Sequence, residues 1–249
     1  MTPALSLVIP CYNEAANLPA LVARVREAIA RADVEVVLVD NGSTDDSPEV
    51  LARLLAARPK EQGQGAAPEA PCALIRSVRV PVNQGYGYGI LEGLKAARGR
   101  VLGWTHADMQ TDPADCLAAL ALFEAEDAAE GLFVKGRRYG RPFSDVAFTV
   151  GMAAFETVLL GRPLWDINAQ PTLFPRAFFE TWKTPPHDFS LDLYAYYSAK
   201  RAGLAVRRFP VRFGARLHGH SHWNVNWAAK RKFIRRTLDY SFRLRRDLV

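Results

Sequence analysis

Short apolar runs alternate with amphipathic segments along most of this chain. Continuous apolar runs are typical of parallel strands, because helices cover such strands on both faces. Such runs lie at residues 6–9, 36–39 and 101–104, and residues 73–78 and 132–135 form further strand-like segments. Between them, apolar residues recur at helical spacing, as in Leu18, Leu21, Val22, Val25 and Ile29. The alternation predicts an α/β fold with a mostly parallel sheet and right-handed crossovers.

The second half of the chain continues the pattern with longer segments. We predict a helix from Ser144 to Leu160, a strand from Leu164 to Phe174, a helix from about Asp188 to Ala202 and a last strand from Val206 to Phe213. Residues 58–71, rich in Pro, Gly, Gln and Ala, predict an exposed, mobile loop. With 249 residues and 49% hydrophobic content, we expect one domain with a large core.

Cysteine usage and the termini bear on the compartment. The three cysteines, Cys11, Cys72 and Cys116, are far apart and lack a CxxC spacing, which favours a reducing cytoplasm over a disulfide framework or a zinc site. The first residues lack the basic segment and apolar core of a secretory signal. The apolar stretch Val146–Leu160 contains Glu156 and is shorter than a spanning helix needs, so no transmembrane segment is expected.

Positive charge is concentrated near the C-terminus. The net charge is +6, which suits anionic partners. Residues 230–246 are dense in Lys and Arg, contain the single acid Asp239, and are interleaved with apolar residues. Such a helix can lie on an anionic membrane surface, or it can pack on the domain with a solvated basic face. Nucleic acid is not an expected partner, because no known nucleic-acid module is visible.

Polar motifs follow three of the predicted strands. His106-Ala107-Asp108-Met109-Gln110 follows the run that ends at Trp104, and its imidazole and oxygen ligands at alternate positions can face one pocket. Two further motifs follow upstream strands: Pro10-Cys11-Tyr12-Asn13-Glu14 and Asp40-Asn41-Gly42-Ser43-Thr44-Asp45. Ligands of open α/β sheets bind outside the carboxyl ends of the strands, so these motifs predict one crevice for a diphosphate and a divalent cation.

These motifs, with Asn83-Gln84-Gly85-Tyr86-Gly87-Tyr88-Gly89, resemble the family 2 glycosyltransferases, which have the GT-A fold. The pattern is most similar to polyprenyl-phosphate glycosyltransferases such as dolichyl-phosphate mannose synthase. The resemblance implies a Rossmann-like, mostly parallel mixed sheet flanked by helices over residues 1–222. Residues 223–249 are then expected to form a basic amphipathic C-terminal helix.

The resemblance also implies a nucleotide and cation site. The residues expected to bind the nucleotide are Pro10, Tyr12, Glu14, Asp40, Asn41, Asn83, Gly85, Ala107 and Asp108. Asn41 stands where the family usually has a second acid. The metal ligands are expected to be Asp108, Gln110 and His106, where His106 replaces the family's usual first aspartate. Mn²⁺ accepts imidazole more readily than Mg²⁺ does, so Mn²⁺ is the preferred cation and Mg²⁺ the alternative.

Residues of the second half are expected to contact the acceptor or the diphosphate. The resemblance implies this role for Lys135, Arg137, Gln170, Arg216 and His218. Asp192 and Asp166 are the candidate catalytic bases, needed if the acceptor is a hydroxyl but not if it is an ionised phosphate. His218, His220 and His222 alternate in a segment that suits a mobile loop over the diphosphate, and zinc binding is the other reading.

The resulting hypothesis is an inverting glycosyltransferase. It would move a sugar from a nucleotide-diphosphate sugar to a polyprenyl phosphate, in the cytoplasm or at the inner face of the membrane. A transferase acting on a soluble hydroxyl acceptor is the alternative in the same class. A nucleotide-sugar binding protein with little turnover is the rival, motivated by His106 and Asn41. A sugar nucleotidyltransferase is disfavoured, because no glycine-rich triphosphate motif precedes a lysine near the N-terminus.

Overall fold

The computed structural model describes residues 2–57, 73–125, 129–217 and 227–248. The strands are β1 Leu5–Cys11, β2 Val34–Asn41, β3 Leu74–Val80, β4 Val101–Trp104, β5 Leu132–Tyr139, β6 Thr172–Pro175 and β7 Ala205–Arg212. The α-helices are α1 Leu18–Ala28, α2 Ser47–Ala56, α3 Tyr86–Ala96, α4 Asp115–Ala125, α5 Phe143–Leu160, α6 Arg176–Glu180, α7 Leu191–Arg201 and α8 Trp227–Leu248, and Ala129–Gly131 is a short 3₁₀ turn.

The described strands form a seven-stranded mixed sheet in the order β3-β2-β1-β4-β6-β5-β7. Strands β3, β2, β1 and β4 pair in parallel, as do β5 and β7. Strand β6 runs antiparallel to both of its neighbours, β4 and β5. The predicted α/β class with a mostly parallel mixed sheet is therefore confirmed.

The sheet has a core on each face, because successive side chains of a strand point to opposite sides. Leu7 and Val36 face the core that includes α1 and α4. Val8 and Val37 face the opposite core, to which α3 and α7 contribute. Burial on both faces explains why residues 36–39 of β2 form a continuous apolar run in the sequence.

One predicted strand is much shorter than expected. The prediction placed a strand over Leu164–Phe174, but only Thr172–Pro175 pair in the sheet. Asp166 has a positive φ of 44°, and the Ala169 N–H donates to its carbonyl, so this segment forms a turn. Apolar content alone gave no sign of this turn. The predicted mobile loop at residues 58–71 lies outside the described residues.

Helices α5 and α8 form a pair on the surface of the domain. The Ser241 hydroxyl of α8 donates to the Glu156 carboxylate of α5 at 2.6 Å, and both residues are fully buried. In the part of the chain that is described, α5 is the one helix long and apolar enough to cross a membrane, with 17% of its 18 residues buried. We expected this segment to be too short to span a membrane, and the length of α5 does not support that expectation. Length and composition alone do not make α5 a membrane-spanning helix.

Helix α8, Trp227–Leu248, lies within the segment for which a basic C-terminal helix was predicted. Leu244 of α8 is buried, whereas Arg235, Arg243 and Arg245 are exposed. The helix thus packs on the domain and also presents a basic face. The predicted domain boundary between residues 222 and 223 lies outside the described residues and stays a prediction.

Candidate active site

The ends of strands β1, β2 and β4 lie side by side at one edge of the sheet. Cys11 at the end of β1 pairs with Asp40 of β2, and Val8 pairs with Trp104 at the end of β4. Because all three strands are parallel, the segments that follow them leave the sheet in the same direction. The three sequence motifs therefore meet at a common edge, as the sequence analysis predicted.

The end of β2 is fixed by its own side chains. Asp40 is almost fully buried, its Oδ1 accepts a hydrogen bond from the Ser43 N–H at 3.0 Å, and its Oδ2 lies 3.6 Å from Arg79 Nε. The Asn41 side-chain amide donates to the Gly85 carbonyl at 3.0 Å. Asn41 thus ties β2 to the glycine-rich turn, which gives this residue a structural role that an aspartate could not fill in the same way.

The glycine-rich turn packs tightly against the segment before α7. Asn83 Oδ1 accepts from the Gly85 N–H at 2.9 Å. Gly85 has a φ of 117°, and a Cβ at this position would lie 2.3 Å from the His187 carbonyl oxygen. Only glycine fits both restrictions. The turn opens helix α3, whose first amides are a suitable place for an anionic ligand.

The loop after β1 supplies an exposed aromatic ring and a carboxylate. Pro10 lies near the end of β1, and the Tyr12 side chain is 41% exposed, so its ring face is accessible. Burial raises the pKa of Glu14, the hydrogen bond from Asn17 opposes this, and the negative charge of Asp108 raises the pKa further. The effect of the Asp108 charge on the pKa of Glu14 indicates that the β1 and β4 motifs share one electrostatic environment.

The turn at residues 106–110 is joined to a later loop by several polar contacts. Asp108 Oδ1 accepts from the Gln110 N–H at 3.1 Å, and Asp108 Oδ2 lies 2.8 Å from an Arg216 guanidinium nitrogen. The Gln110 side-chain amide donates to the Gly214 carbonyl at 3.2 Å, while the Gly214 N–H donates to the Gln110 carbonyl at 2.8 Å. Arg216 therefore sits beside the carboxylate that is expected to bind a cation. Ala107, between the two predicted ligands, is buried.

His106 belongs to a stack of rings at this edge. Its imidazole stacks on Tyr86 at 5.6 Å between centroids, and Tyr86 stacks on Phe189 at 4.6 Å. Burial lowers the pKa of His106, opposed by the charges of Asp108 and Asp192. A neutral imidazole is the form that binds a metal ion.

The donor chemistry at this turn suits a divalent cation. One carboxylate, one neutral imidazole and one side-chain amide fit Mn²⁺, which tolerates mixed oxygen and nitrogen ligands. Within the described ranges, no group of three or more His, Cys, Asp or Glu side chains is arranged to hold a metal ion. The Arg216 guanidinium shows that the Asp108 carboxylate can accept a positive partner.

Asp192, a predicted base, is buried at the start of α7 and held by two donors. Gln170 Nε2 donates to Asp192 Oδ1 at 2.7 Å, and Lys135 Nζ lies 3.4 Å from the same oxygen. Lys135 is itself fully buried, whereas a residue that contacts an acceptor molecule arriving from solvent would be expected at the surface. Arg137, predicted beside it, is exposed.

Asp166, the other predicted base, faces three arginines. Its carboxylate accepts from the Arg138 backbone N–H at 3.0 Å and from Arg138 Nε at 2.9 Å, and it lies 3.6 Å from Arg141 and 3.9 Å from Arg208. Burial raises the pKa of Asp166, but the hydrogen bonds and the charge of Arg138 outweigh burial and hold the pKa below its usual value. This arrangement favours a structural role over proton abstraction.

Several site residues were missed by sequence reasoning. Tyr86 was quoted in a motif without a role, and Phe189 and Arg208 were not singled out. The aromatic residue between two glycines at Tyr86 was the available signal. Arg208 carried none, because its contact with Asp166 spans 42 positions. His218, by contrast, was predicted to contact the diphosphate, but it lies outside the described residues.

Comparison with solved structures identifies the class of fold. The mannosyltransferase PcManGT from Pyrobaculum calidifontis, in complex with GDP-Man and Mn²⁺, superposes with a TM-score of 0.64 over 94% of this chain and 65% of its own, at 20% identity. Glucosyl-3-phosphoglycerate synthase from Mycobacterium tuberculosis, in complex with Mn²⁺, UDP and glucosyl-3-phosphoglycerate, gives 0.67 over 96% of this chain and 80% of its own, at 19% identity. The fold is that of the GT-A glycosyltransferases.

The family follows from the sequence. The profile described as "Glycosyl transferase family 2" matches residues 6–145, more than half of the 249 residues. The chain belongs to the family 2 glycosyltransferases.

Two similar relatives are undecaprenyl-phosphate 4-deoxy-4-formamido-L-arabinose transferases. The one from Pseudomonas paraeruginosa is 37% identical over 136 residues, 53% of this chain and 34% of the relative. The one from Sodalis glossinidius is 36% identical over 110 residues, 43% of this chain and 30% of the relative. The match thus spans about a third of the length of these relatives.

Proposed function

We propose that this chain transfers a sugar from a nucleotide-diphosphate sugar to an acceptor by an inverting single displacement. The observation that carries the proposal is the meeting of Asp40, the Gly85 turn and Asp108 at one edge of the sheet. The nucleotide would lie over the ends of β1 and β2, with Tyr12 offering a ring face and Asp40 an acceptor for base or ribose hydrogens. The diphosphate would lie beside the 106–110 turn.

A divalent cation is part of the proposal, since the solved neighbours hold Mn²⁺. Asp108 and His106 would hold it, with Gln110 as the third predicted ligand. A bound cation of this kind acts as a Lewis acid that neutralises charge on the departing nucleoside diphosphate. Arg216, already beside Asp108, would add positive charge to the same group.

Polyprenyl phosphate is the first acceptor candidate. The curated relatives carry undecaprenyl phosphate in their names. The α5–α8 pair supports a lipid acceptor, because α5 exposes Phe143 and Val158 at 87% and 84%, and α8 adds exposed arginines. Apolar side chains beside basic ones suit the surface of an anionic membrane. We therefore propose peripheral association of the chain with the inner face of the membrane.

A hydroxyl-bearing acceptor is the second candidate, and Asp192 favours it. A phosphate acceptor is ionised at neutral pH and needs no base, whereas a hydroxyl must lose its proton during transfer. The structure buries Asp192 beside two hydrogen-bond donors at the start of α7. These two contacts fix the orientation of the carboxylate, which a base that takes the proton of an acceptor hydroxyl requires.

Donor binding provides the first test. Thermal unfolding is measured with UDP-glucose and with GDP-mannose, each with and without Mn²⁺, for the wild type and for Asp108→Asn. A ligand at 100 times its Kd stabilises the native state by about 2.7 kcal/mol. We expect at least one donor to stabilise the wild type in the presence of Mn²⁺ and the effect to be lost in Asp108→Asn.

The matched control is Asp112→Asn. This acid lies on the same segment but pairs with Arg24 at 2.7 Å instead of Arg216. It should keep the stabilisation by donor. Equal responses of wild type and Asp108→Asn would refute the placement of the diphosphate, and no response to either donor would count against the proposed donor class.

Acceptor class is tested by transfer of radiolabelled sugar. With undecaprenyl phosphate in vesicles, label should enter an organic-extractable, acid-labile product, and Asp192→Asn should transfer at a similar rate. Label found only in water-soluble products, with transfer abolished by Asp192→Asn, would replace the lipid phosphate with a hydroxyl acceptor. In the same assay His106→Asp should raise turnover if imidazole weakens cation binding.

Membrane association is tested by sedimentation with vesicles containing anionic lipid. Arg243→Glu with Arg245→Glu reverses two charges on the exposed face of α8 and should weaken binding severalfold. Lys95→Glu with Lys183→Glu makes the same change in net charge away from α8 and should not. Equal loss in both double variants would show a nonspecific charge effect and remove the role proposed for α8.

A further inference from the structure

A buried lysine lies directly behind the candidate base. Lys135 is on β5 opposite Thr172 of β6, with which it is paired in the sheet. Its Nζ donates to Thr172 Oγ1 at 2.7 Å and lies 3.4 Å from Asp192 Oδ1, and all three residues are at most 2% exposed. A buried ion pair is weak evidence for stability, since apolar residues of similar volume often do as well. A role at the neighbouring site is the better explanation.

The contacts orient the Asp192 carboxylate. Two donors, Lys135 Nζ and Gln170 Nε2, act on the same oxygen, Oδ1. The Thr172 hydroxyl fixes the end of the lysine chain, and the sheet fixes Thr172. Gln170 Oε1 is buried and accepts no hydrogen bond from the described residues, so the amide is held in the structure through its donor contact with Asp192.

Asp192 borders the same ring stack as the 106–110 turn. The pKa of Tyr86 is raised well above its usual value, first by burial, then by the charge of Asp192 and then by that of Asp108. The His106 imidazole is likewise under the influence of both carboxylates. The charges of Asp108 and Asp192 therefore both act on the stacked Tyr86 and His106 rings, which supports placing Asp192 beside the site.

We infer that Lys135 is a positioning residue for sugar transfer, which orients the Asp192 carboxylate through the contact at Oδ1. The inference rests on the proposed function in its second form, with a hydroxyl or water as the acceptor. In the step it serves, an acceptor oxygen attacks the anomeric carbon as its proton passes to Asp192. The bond from that carbon to the diphosphate breaks, and the nucleoside diphosphate leaves with the electron pair.

The charge of Lys135 depends on pH. Burial lowers the pKa of Lys135 to about 8, the charges of Asp192 and Asp166 oppose this, and that of Arg208 adds to it. The ammonium group is therefore present at neutral pH and is lost as the pH rises above about 8. Turnover that depends on this ammonium should fall on the alkaline side.

The first experiment is the pH dependence of donor hydrolysis, in which water is the acceptor. UDP-glucose and GDP-mannose are the donors, with Mn²⁺ present and no other acceptor. For the wild type we expect kcat to fall above about pH 8. Lys135→Arg should remove this alkaline limb, because arginine stays protonated. Lys135→Met should lower kcat at least tenfold with little change in KM.

A matched control separates positioning from stability. Arg76→Met removes the partner of the buried carboxylate of Glu35, 2.7 Å away at the opposite end of the sheet. It should lower the melting temperature and leave the alkaline limb in place. An alkaline limb that is the same in wild type and Lys135→Arg would overturn the inference.

A second measurement needs no turnover. The chain has seven lysines, so their ¹³Cε resonances can be followed by NMR and Lys135 assigned from Lys135→Arg. We expect one lysine to titrate near pH 8 and to titrate lower still in Asp192→Asn, which removes the opposing anion. Titration of Lys135 near its ordinary value of 10.5, unchanged in Asp192→Asn, would refute the contact on which the inference depends. Hydrolysis of neither donor by the wild type, with this titration as expected, would instead count against the proposed function.

Discussion

Replacing Asp166 by Asn should destabilise the fold strongly. Asp166 is 1% exposed and its carboxylate lies within 4 Å of Arg138, Arg141 and Arg208. The side chains of these arginines are 13%, 7% and 16% exposed. The substitution keeps the shape of the side chain and removes the charge, so it leaves three partly buried cations beside one another.

The contacts set the size of the effect. A single pair at 4 Å and an effective dielectric constant of 20 is worth about 4 kcal/mol before desolvation. Desolvation of the carboxylate and repulsion among the arginines offset much of this. Removing one partner of a buried pair costs about 3–5 kcal/mol. For a domain of this size, that loss lowers the melting temperature by roughly 6–20 °C.

Urea unfolding and thermal unfolding measure the effect, with Asp239→Asn as the control. Asp239 also pairs with an arginine, Arg235 at 4.0 Å, but both side chains are largely exposed, so its loss should change stability by less than about 1 kcal/mol. Because the pKa of Asp166 is lowered in the native state, its contribution is present above the unfolded pKa and is lost as the pH falls through the native pKa. The difference between wild type and Asp166→Asn should therefore shrink in acid.

A stable Asp166→Asn variant would refute this reasoning. If its melting temperature stays within about 2 °C of the wild type while donor hydrolysis is lost, Asp166 acts in the chemistry and the arginines do not depend on it. If stability and activity fall together, Asp166 stabilises the segment that precedes β6.

Three further results are expected. Glu156→Gln should stabilise the protein by on the order of 3 kcal/mol at pH 8, measured by urea unfolding. Burial raises the pKa of Glu156 to about 7, so the stability of the wild type falls as the pH rises from the unfolded pKa of 4.5 through 7. If the variant had the same pH dependence of stability as the wild type, the burial of this carboxylate would be contradicted. The Arg216→Ala variant should bind Mn²⁺ more tightly than the wild type in the absence of nucleotide, because the guanidinium 2.8 Å from Asp108 no longer competes with the ion. Electron paramagnetic resonance measures this binding. Weaker binding would show that Arg216 orients the carboxylate. Gly85→Ala should lower the free energy of unfolding by about 1–3 kcal/mol and weaken donor binding. The reason is that the alanine Cβ would lie 2.3 Å from the His187 carbonyl oxygen. A thermal unfolding curve like that of the wild type would contradict the packing of this turn.

The sequence by itself determined the fold class and the edge of the sheet where the three candidate motifs lie. Apolar runs mark buried parallel strands, and the polar residues after Ile9, Val39 and Trp104 mark the strand ends, so local pattern places these motifs together. These features follow from side-chain periodicity and the handedness of crossovers, which depend on short stretches of chain.

The tertiary structure alone decided the partners of the charged residues in the second half. Lys135 and Asp192 are 57 positions apart, and Asp166 and Arg138 are 28 apart. Their contacts depend on the antiparallel strand β6, which brings Thr172 beside Lys135, and on the packing of α7. A sequence pattern sets which face or end of an element a residue occupies, but the partner of a buried charge is set by elements that meet only when the chain is packed.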